Sequence, residues 1–260
     1  MNNTDCQILE ASSKYIRTWL AGQPGVKEES LTDWLLYDVS KNSTNFLYRA
    51  FTRHEEARQT GADWEWWLLL PQHNIRLRIQ AKKLQPKHNH YPDIARTNKY
   101  GLQIDKLLSD AKATNSIPLY AMYSGIAAST QCPKGTMSEG AFIAGGHAIH
   151  TKFIMAGPKS ISDSDLLNIS NPLSCLLYCT KPGDHRDYFL HYYPEDSAPL
   201  PDQSNSNDPI RGIHQRLPNY VISFLENHRN EIPDWWESEF ERDISSLNAL
   251  LVTDLRGALK

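Results

Sequence analysis

The chain has 260 residues, enough for one large domain or two small ones with a sizeable core. Its formal net charge of -3 excludes a generally basic surface, so any contact with nucleic acid has to come from a local patch. The four cysteines are too few and too scattered for a disulfide framework. No apolar run is long enough to cross a bilayer, and the first residues do not resemble a signal peptide. We therefore expect a cytoplasmic protein that does not contact membranes.

Two amphipathic helices and a strand are predicted in the first part of the chain. Apolar residues recur at helical spacing over residues 8–20, and Gly22 and Pro24 end this segment. Residues 28–39 repeat that spacing, with the apolar positions on one side. Residues 46–51 then have the composition of a first strand.

A β-hairpin is predicted over residues 61–82. Between 75 and 82, apolar residues alternate with polar ones, and this period of two places Gln80 and Lys82 on the same face of the strand. In the preceding strand Asp63 and Glu65 share a face by the same rule, and residues 71–74 carry a turn signal. The hairpin should therefore bring Asp63, Gln80 and Lys82 together at one edge of a sheet.

A carboxylate that faces an oxygen ligand and a lysine on the neighbouring strand is typical of a site for Mg²⁺, with Mn²⁺ as the substitute. Mg²⁺ prefers hard oxygen ligands and keeps several of its waters. Asp63, the side-chain oxygen of Gln80 and the main-chain carbonyl of Ala81 would be the protein ligands. Lys82 would lie beside the attacking water and stabilise negative charge on a phosphate. This chemistry suits the hydrolysis of phosphodiesters.

At these residues the chain resembles the PD-(D/E)XK nuclease superfamily, in its variant with Gln in place of the acidic residue. Gly61-x-Asp63 is similar to the first half of the motif, and Gln80-x-Lys82 is similar to the second half. With the segments 29–32 and 118–120, the chain also resembles a bacterial domain family of unknown function placed in that superfamily. The resemblance implies an α/β fold like that of restriction endonucleases, with a central mixed sheet flanked by helices, and the activity of a metal-dependent nuclease.

The resemblance also implies further site residues, since a neutral Gln binds a cation more weakly than Glu does. In the superfamily an acidic residue on the leading helix often faces the metal, and a polar residue on the helix after the hairpin can also face the site. The candidates are Glu29 on the leading helix, preferred to Glu28, then Glu56 before the hairpin, Glu65 as a metal ligand beside Asp63, and Gln103 on the following helix.

Substrate and biological role follow from the resemblance alone. Members with the Gln variant include Mrr-like restriction enzymes, which favours DNA over RNA and indicates a role in antiviral defence. Two alternatives stay open. One is a catalytically impaired module that binds nucleic acid or a protein partner, and the other is an RNase.

The rest of the chain is predicted from its periodicity and composition. A helix is expected over 103–111 and a strand over 117–123, followed by a loop-dominated region with a turn at residues 145–146. Residues 173–178 and 188–193 have the composition of strands, and residues 220–225 and 235–251 that of helices.

These elements predict three parts of the chain. Residues 1–195 would form the nuclease-like α/β domain, and residues 196–209 a polar linker or loop. Residues 210–260 would form a helical segment that packs on the core or mediates contact with a second copy or a partner protein.

Overall fold

The computed structural model describes residues 4–51, 60–85, 91, 94, 96–98, 101–126, 139–156, 162–178, 185–197, 210–227 and 247–257. The helices are α1 (Thr4–Gly22), α2 (Glu28–Asn42), α3 (Gln103–Ala113), α4 (Gly146–Ala156), α5 (Asp163–Asn168), α6 (Cys175–Tyr178), α7 (His185–Tyr192) and α8 (Asn219–Asn227). The strands are β1 (Phe46–Ala50), β2 (Trp64–Leu69), β3 (Asn74–Lys83), β4 (Thr97–Asn98), β5 (Gly101–Leu102), β6 (Ile117–Tyr123), β7 (Ala141–Gly145), β8 (Ser170–Pro172), β9 (Ile213–His214) and β10 (Ala249–Asp254).

One mixed sheet forms the centre of the protein. Its strands follow the order β1-β10-β2-β3-β6-β7-β8, and the short β9 pairs with β3. The pairs β10–β2 and β3–β6 are parallel, whereas the other neighbours in the sheet are antiparallel. The predicted mixed α/β fold with flanking helices is therefore confirmed.

Successive side chains of a strand point to opposite sides of the sheet, so the apolar strands present apolar side chains on both faces. Helices cover both of these faces. Trp64 and Trp66 of β2 pack in a core with apolar residues of α1, α2, α6 and α7. Trp67 and Leu69 of the same strand pack in a second core with α3, α4, α5 and α8. The central strands are thus buried on both sides.

The predicted hairpin is present, and it is antiparallel, with Trp64 opposite Ile79. Just before it, Gly61 has a φ of 75°. A Cβ at this position would lie 2.5 Å from the main-chain oxygen of Gln103. The absence of a side chain therefore lets the first turn of α3 approach the start of β2 closely.

The helix predicted over residues 235–251 is wrong at its C-terminal end, where residues 249–254 form strand β10. The sequence of β10 begins Ala-Leu-Leu-Val, and all four of these residues are buried. A strand buried on both faces has no apolar–polar alternation, so its periodicity does not distinguish it from a buried helix. Residues 235–246 of the predicted helix lie outside the described residues.

Two predicted strands are also wrong. Residues 175–178 and 185–192 are helices α6 and α7, and the adjacent strand β8 is limited to residues 170–172. The predicted turn at 145–146 is instead a junction at which β7 leads directly into α4. The helix expected at 220–225 is confirmed as α8.

The C-terminal part of the chain contributes strands to the central sheet. β9 pairs with β3, and β10 lies between β1 and β2. The interpretation of residues 210–260 as a helical segment is therefore wrong for these strands. Asp196 and Ser197, at the start of the predicted linker, are buried, and residues 198–209 lie outside the described part.

Within the described ranges, no helix combines the length and the apolar character that crossing a membrane requires.

Candidate functional site

Asp63 lies immediately before β2, where main-chain hydrogen bonds fix it between two other segments. Its N–H donates to the Ile79 oxygen at 2.8 Å, and its own carbonyl accepts from the Asn248 N–H at 2.7 Å. The first bond aligns Asp63 with the end of β3, and the second ties it to the residue that precedes β10. Asp63 thus stands where three parts of the chain meet.

The three predicted metal ligands converge through direct contacts. Asp63 Oδ2 accepts hydrogen bonds from the Ala81 N–H, at 2.7 Å, and from the Gln80 side-chain amide. Gln80 Nε2 also donates to the Ala81 carbonyl oxygen at 3.0 Å. One donor group therefore lies between a carboxylate oxygen and a carbonyl oxygen, where a cation would contact the same two acceptors.

Gln103 extends this cluster from the first residue of α3. Its Nε2 donates to Gln80 Oε1 at 2.6 Å, so the predicted polar residue on this helix does contact the site. Turning the Gln80 amide by 180° would exchange its oxygen and nitrogen. The oxygen would then face Asp63 and Ala81, which is the arrangement that a hard cation requires.

Lys82 is buried, and its neighbour is Glu28. The Lys82 Nζ atom lies 3.9 Å from Glu28 Oε1, and Glu28 Oε2 accepts from the Lys83 N–H at 2.6 Å. Lys83 Nζ donates to the Pro24 and Val26 carbonyl oxygens, which holds the start of α2 against β3. The contact with Lys82 is therefore made by Glu28, whereas the sequence favoured Glu29.

Burial changes the acid–base behaviour of Glu28. It raises the pKa of Glu28 from 4.5 to about 7, with Lys82 opposing the rise and the negative charge of Asp63 adding to it. Glu28 therefore changes its charge near neutral pH.

A small cleft opens beside Asp63. Its walls come from α2, β3 and the segment around the start of β10: Glu28, Glu29, Thr32, Asp33, Asp63, Ala81, Asn248 and Ala249. Glu29 is exposed and reaches this cleft, which is compatible with its predicted role.

Three polar lining residues, Thr32, Asp33 and Asn248, were not among the sequence candidates. Asp33 follows Glu29 by four residues, and this spacing alone would have placed both on one face of the helix. Asn248 lies within the segment 235–251, for which the sequence predicts a helix, so the sequence did not indicate a role for it at the site.

Glu65 belongs to a different buried network. Its Oε1 accepts from Trp67 Nε1 at 2.6 Å and from the Tyr220 hydroxyl. Its Oε2 lies 2.9 Å from Arg76 Nε and 3.2 Å from Arg78 Nε. Burial alone would raise the pKa of Glu65, but the two guanidinium groups hold it below its ordinary value. Both oxygens are engaged, so we remove Glu65 from the candidate metal ligands.

The oxygen atoms of Asp63, Gln80 and Ala81 are suitable ligands for a hard cation, although together they carry little negative charge. The described residues contain no group of three or more His, Cys, Asp or Glu side chains arranged for a metal ion. Within the described ranges, Asp63 is the one carboxylate that hydrogen-bonds to Gln80 and Ala81, and the other two ligand oxygens are neutral. Oxygen ligands and a cation that keeps its waters suit Mg²⁺. The predicted candidate Glu56 lies outside the described residues.

The sheet, its two helical layers and the polar cluster at the end of β3 define a mixed α/β protein with one compact candidate site. The chain belongs to a family of unknown function, DUF6615, whose sequence model matches residues 6–253. This agrees with the predicted resemblance to a domain family of unknown function. No curated protein and no solved structure matches the chain.

Proposed function

We propose that this protein is a metal-dependent nuclease that hydrolyses phosphodiester bonds, with DNA as the favoured substrate. The observation that carries the proposal is the convergence of Asp63, Gln80 and the Ala81 carbonyl, with the buried Lys82 on the same strand. A hard cation and an ammonium group side by side are suited to a reaction in which negative charge develops on a phosphate.

The residues present fit Mg²⁺ or Mn²⁺. Asp63 Oδ2, the Ala81 carbonyl and the Gln80 side-chain oxygen, once its amide has turned, would hold the ion. When bound, the ion supplies Lewis-acid activation of the phosphate and of the attacking water. In the cation-free protein Gln103 Nε2 donates to Gln80 Oε1. With the Gln80 amide turned, the Gln103 amide would turn as well, so that its oxygen accepts from Gln80 Nε2 and keeps the ligand oxygen on the ion.

Lys82 provides the positive charge next to the reacting phosphate. Its side chain is only 3% exposed, and Glu28 keeps its ammonium group at the end of β3. During hydrolysis the water oxygen forms a bond to phosphorus and one ester bond to phosphorus breaks. The leaving oxygen and the solvent take up the water's protons. The buried ammonium would lower the cost of the charge that builds up on the phosphate oxygens.

The order of elements supports the same proposal. The leading helix α2 carries Glu28 and Glu29, the hairpin β2–β3 carries the ligands, and α3 leads to β6, which pairs parallel to β3. A hairpin, a helix and a parallel strand is the order that the resemblance to PD-(D/E)XK nucleases implies. A role in defence against foreign DNA remains a prediction of that resemblance, and a cytoplasmic location remains a prediction from the composition of the chain.

One observation favours a second candidate function, a binding module without catalytic activity. In the part of the chain that the structure describes, the ligand set contains one carboxylate, that of Asp63, and Gln80 takes the position of the acidic residue. A site with so little negative charge binds a cation weakly. In this alternative the protein would hold nucleic acid or a protein partner without cleaving it.

The test is cleavage by the purified full chain of supercoiled DNA, single-stranded DNA and structured RNA, with Mg²⁺, with Mn²⁺ and with a chelator. We expect DNA cleavage that requires the divalent cation and that falls about 100-fold or more in Asp63→Asn and Lys82→Ala. Lys14→Ala is the matched control, because Lys14 forms a partly exposed ion pair with Glu10 on α1.

The outcomes separate the candidates. Cleavage of RNA alone would identify an RNase, and a folded wild type that cuts none of the substrates would favour the binding module. Full activity in Asp63→Asn and Lys82→Ala would show that the reaction takes place elsewhere on the molecule.

A further inference from the structure

Tyr120 lies on β6 directly beside Gln80 of β3. The two residues are partners in the parallel pairing of these strands, and neighbouring strands in a sheet lie roughly 5 Å apart. Tyr120 packs in the same core as residues of α3, the helix that begins with Gln103. It therefore faces the side of the sheet on which Gln103 contacts Gln80.

The Tyr120 hydroxyl is fully buried and has no hydrogen-bond partner among the described residues. Other buried tyrosines differ in this respect. The Tyr123 hydroxyl lies 3.0 Å from Thr32 Oγ1, and the Tyr193 hydroxyl accepts from Asn171 Nδ2 at 3.2 Å. Burying an unpaired hydroxyl is unfavourable, and phenylalanine would fill the same space without that cost.

The charges of the candidate site act on this hydroxyl, in keeping with the position of Tyr120 beside Gln80. Burial raises the pKa of Tyr120 far above its ordinary value, and the negative charges of Asp63, Asp105 and Glu28, in that order, raise it further. Asp63 thus exerts the strongest charge effect on it. The hydroxyl keeps its proton at any ordinary pH and is available as a hydrogen-bond donor.

We propose that Tyr120 is a positioning residue of the candidate cation site, and that its hydroxyl donates a hydrogen bond to a water held beside Asp63 and Gln80. Mg²⁺ and Mn²⁺ keep several waters when a protein binds them through few ligands. Groups that hold such outer ligands in place strengthen binding and orient the reacting atoms. This inference rests on the proposed function and assigns a role to a residue outside the ligand set.

The experiment compares Tyr120→Phe with the wild type in the full chain by three measurements. These are the melting temperature, the Mn²⁺ dissociation constant from calorimetry, and the rate of DNA cleavage at saturating Mn²⁺. We expect a melting temperature that is unchanged or higher, because the lost hydroxyl has no partner in the described protein. We expect the Mn²⁺ affinity to fall about 10- to 100-fold, with a parallel loss of cleavage rate.

Tyr193→Phe is the matched control with the opposite expectation. Its hydroxyl contacts Asn171, 3.2 Å away, and lies 3.5 Å from the Ile143 carbonyl oxygen. Removing it should lower the melting temperature by about 2–4 °C, the effect of one lost hydrogen bond in a protein of this size. Mn²⁺ affinity and cleavage should stay at the wild-type level.

The results distinguish this inference from the function on which it rests. A wild type that binds Mn²⁺ and cleaves DNA, with an equal Mn²⁺ affinity in Tyr120→Phe, would overturn the role of Tyr120 and leave the nuclease proposal intact. A melting temperature lowered by more than about 4 °C at unchanged Mn²⁺ affinity would make the hydroxyl a structural group. A wild type that neither binds Mn²⁺ nor cleaves would end both proposals.

Discussion

Gln80 is the residue that distinguishes this site chemically. Its neutral amide stands next to Asp63 and makes hydrogen bonds to both Asp63 and the Ala81 carbonyl. A second carboxylate at this position would repel Asp63 without a cation and would help to bind one. The amide therefore stabilises the cation-free protein at the expense of cation affinity.

Gln80→Glu should reverse this balance. Without metal the variant should melt at a lower temperature than the wild type, because two carboxylates then share a buried contact. Mn²⁺ should raise its melting temperature more than that of the wild type, since the added charge strengthens binding. Thermal melting with and without Mn²⁺ measures both effects.

Gln7→Glu, at an exposed position of α1, is the control for the added charge. Equal stabilisation of the wild type and Gln80→Glu by Mn²⁺ would contradict the placement of the cation beside residue 80.

Glu28 makes stability depend on pH. Its pKa is raised from 4.5 to about 7 in the folded protein, so the folded state binds this proton more tightly than the unfolded state does. The contribution of Glu28 to stability is therefore complete below about pH 4.5 and is lost as the pH rises to about 7.

Glu28→Gln should remove this loss. We expect the variant and the wild type to have similar free energies of unfolding near pH 4.5, whereas near pH 8 the variant should be more stable by about 1–3 kcal/mol. Urea unfolding of both proteins across this range gives the difference directly. A difference that does not change with pH would show that Glu28 titrates in the folded protein as it does in the unfolded chain.

At the scale of elements, a buried charge network fixes β2 and β3 relative to the helices on one face. Glu65 of β2 contacts Arg76 and Arg78 of β3. Arg78 Nε also lies 3.3 Å from Asp110 Oδ2 of α3, and the Tyr220 hydroxyl of α8 donates to Glu65. Glu65 follows Asp63 by two residues, and Arg78 precedes Gln80 by two residues. The network therefore supports the position of Asp63 opposite Gln80.

Glu65→Gln should be strongly destabilising, because it leaves two buried guanidinium groups with one carboxylate fewer. We expect the free energy of unfolding to fall by about 3–5 kcal/mol in urea unfolding. Glu10→Gln, which breaks a partly exposed ion pair with Lys14, should change it by less than about 1 kcal/mol. Comparable effects of the two substitutions would mean that the buried network adds no more stability than a surface pair.

The sequence predicts those elements whose two sides differ in polarity. Alternation over residues 75–82 reveals the hairpin, and the helical spacing of residues such as Ile104 and Leu107 reveals α3. β10 is buried on both faces, and α6 has only four residues, so neither leaves a periodic pattern. The strand-like composition of 188–193 likewise gave no sign of α7, which the tertiary packing of Phe189 and Tyr188 favours.

The candidate site shows the same division. Asp63, Gln80 and Ala81 could be placed together because strand alternation orders them locally, whereas Gln103 was placed beside them by the resemblance to the superfamily. The contact of Glu28 with Lys82 depends on how α2 lies across β3, which helical spacing alone does not determine. Asn248 reaches Asp63 from the far end of the chain, and only the complete sheet brings the two together.

At the scale of the whole molecule, strand β10 connects β1 to the rest of the central sheet. β10 pairs with β1 on one side and with β2 on the other, and residues 249–252 are buried. Without it, β1 would lose the strand that joins it to the sheet, β2 would expose an unpaired edge, and the Asn248 N–H bond to Asp63 would be lost. The N-terminal part of the chain should therefore not fold independently of residues 247–254.

A chain that ends at residue 246 should lack cooperative thermal unfolding and should be digested rapidly by protease. A chain that ends at residue 257 retains β10 and is the control, with full-length behaviour expected. Circular dichroism melting and limited proteolysis distinguish the two. Cooperative melting of the shorter chain at the full-length temperature would contradict the central role of β10.

Anomalous diffraction from crystals of the full chain soaked in Mn²⁺ tests the cation site most directly. We expect a peak about 2.0–2.4 Å from an oxygen of Asp63 and from the Ala81 carbonyl oxygen, with the Gln80 amide turned so that its oxygen faces the ion. Asp63→Asn crystals should lose that peak. Crystals in which Mn²⁺ binds elsewhere, while the Gln80 amide nitrogen still contacts Asp63, would contradict the site and the chemistry proposed for it.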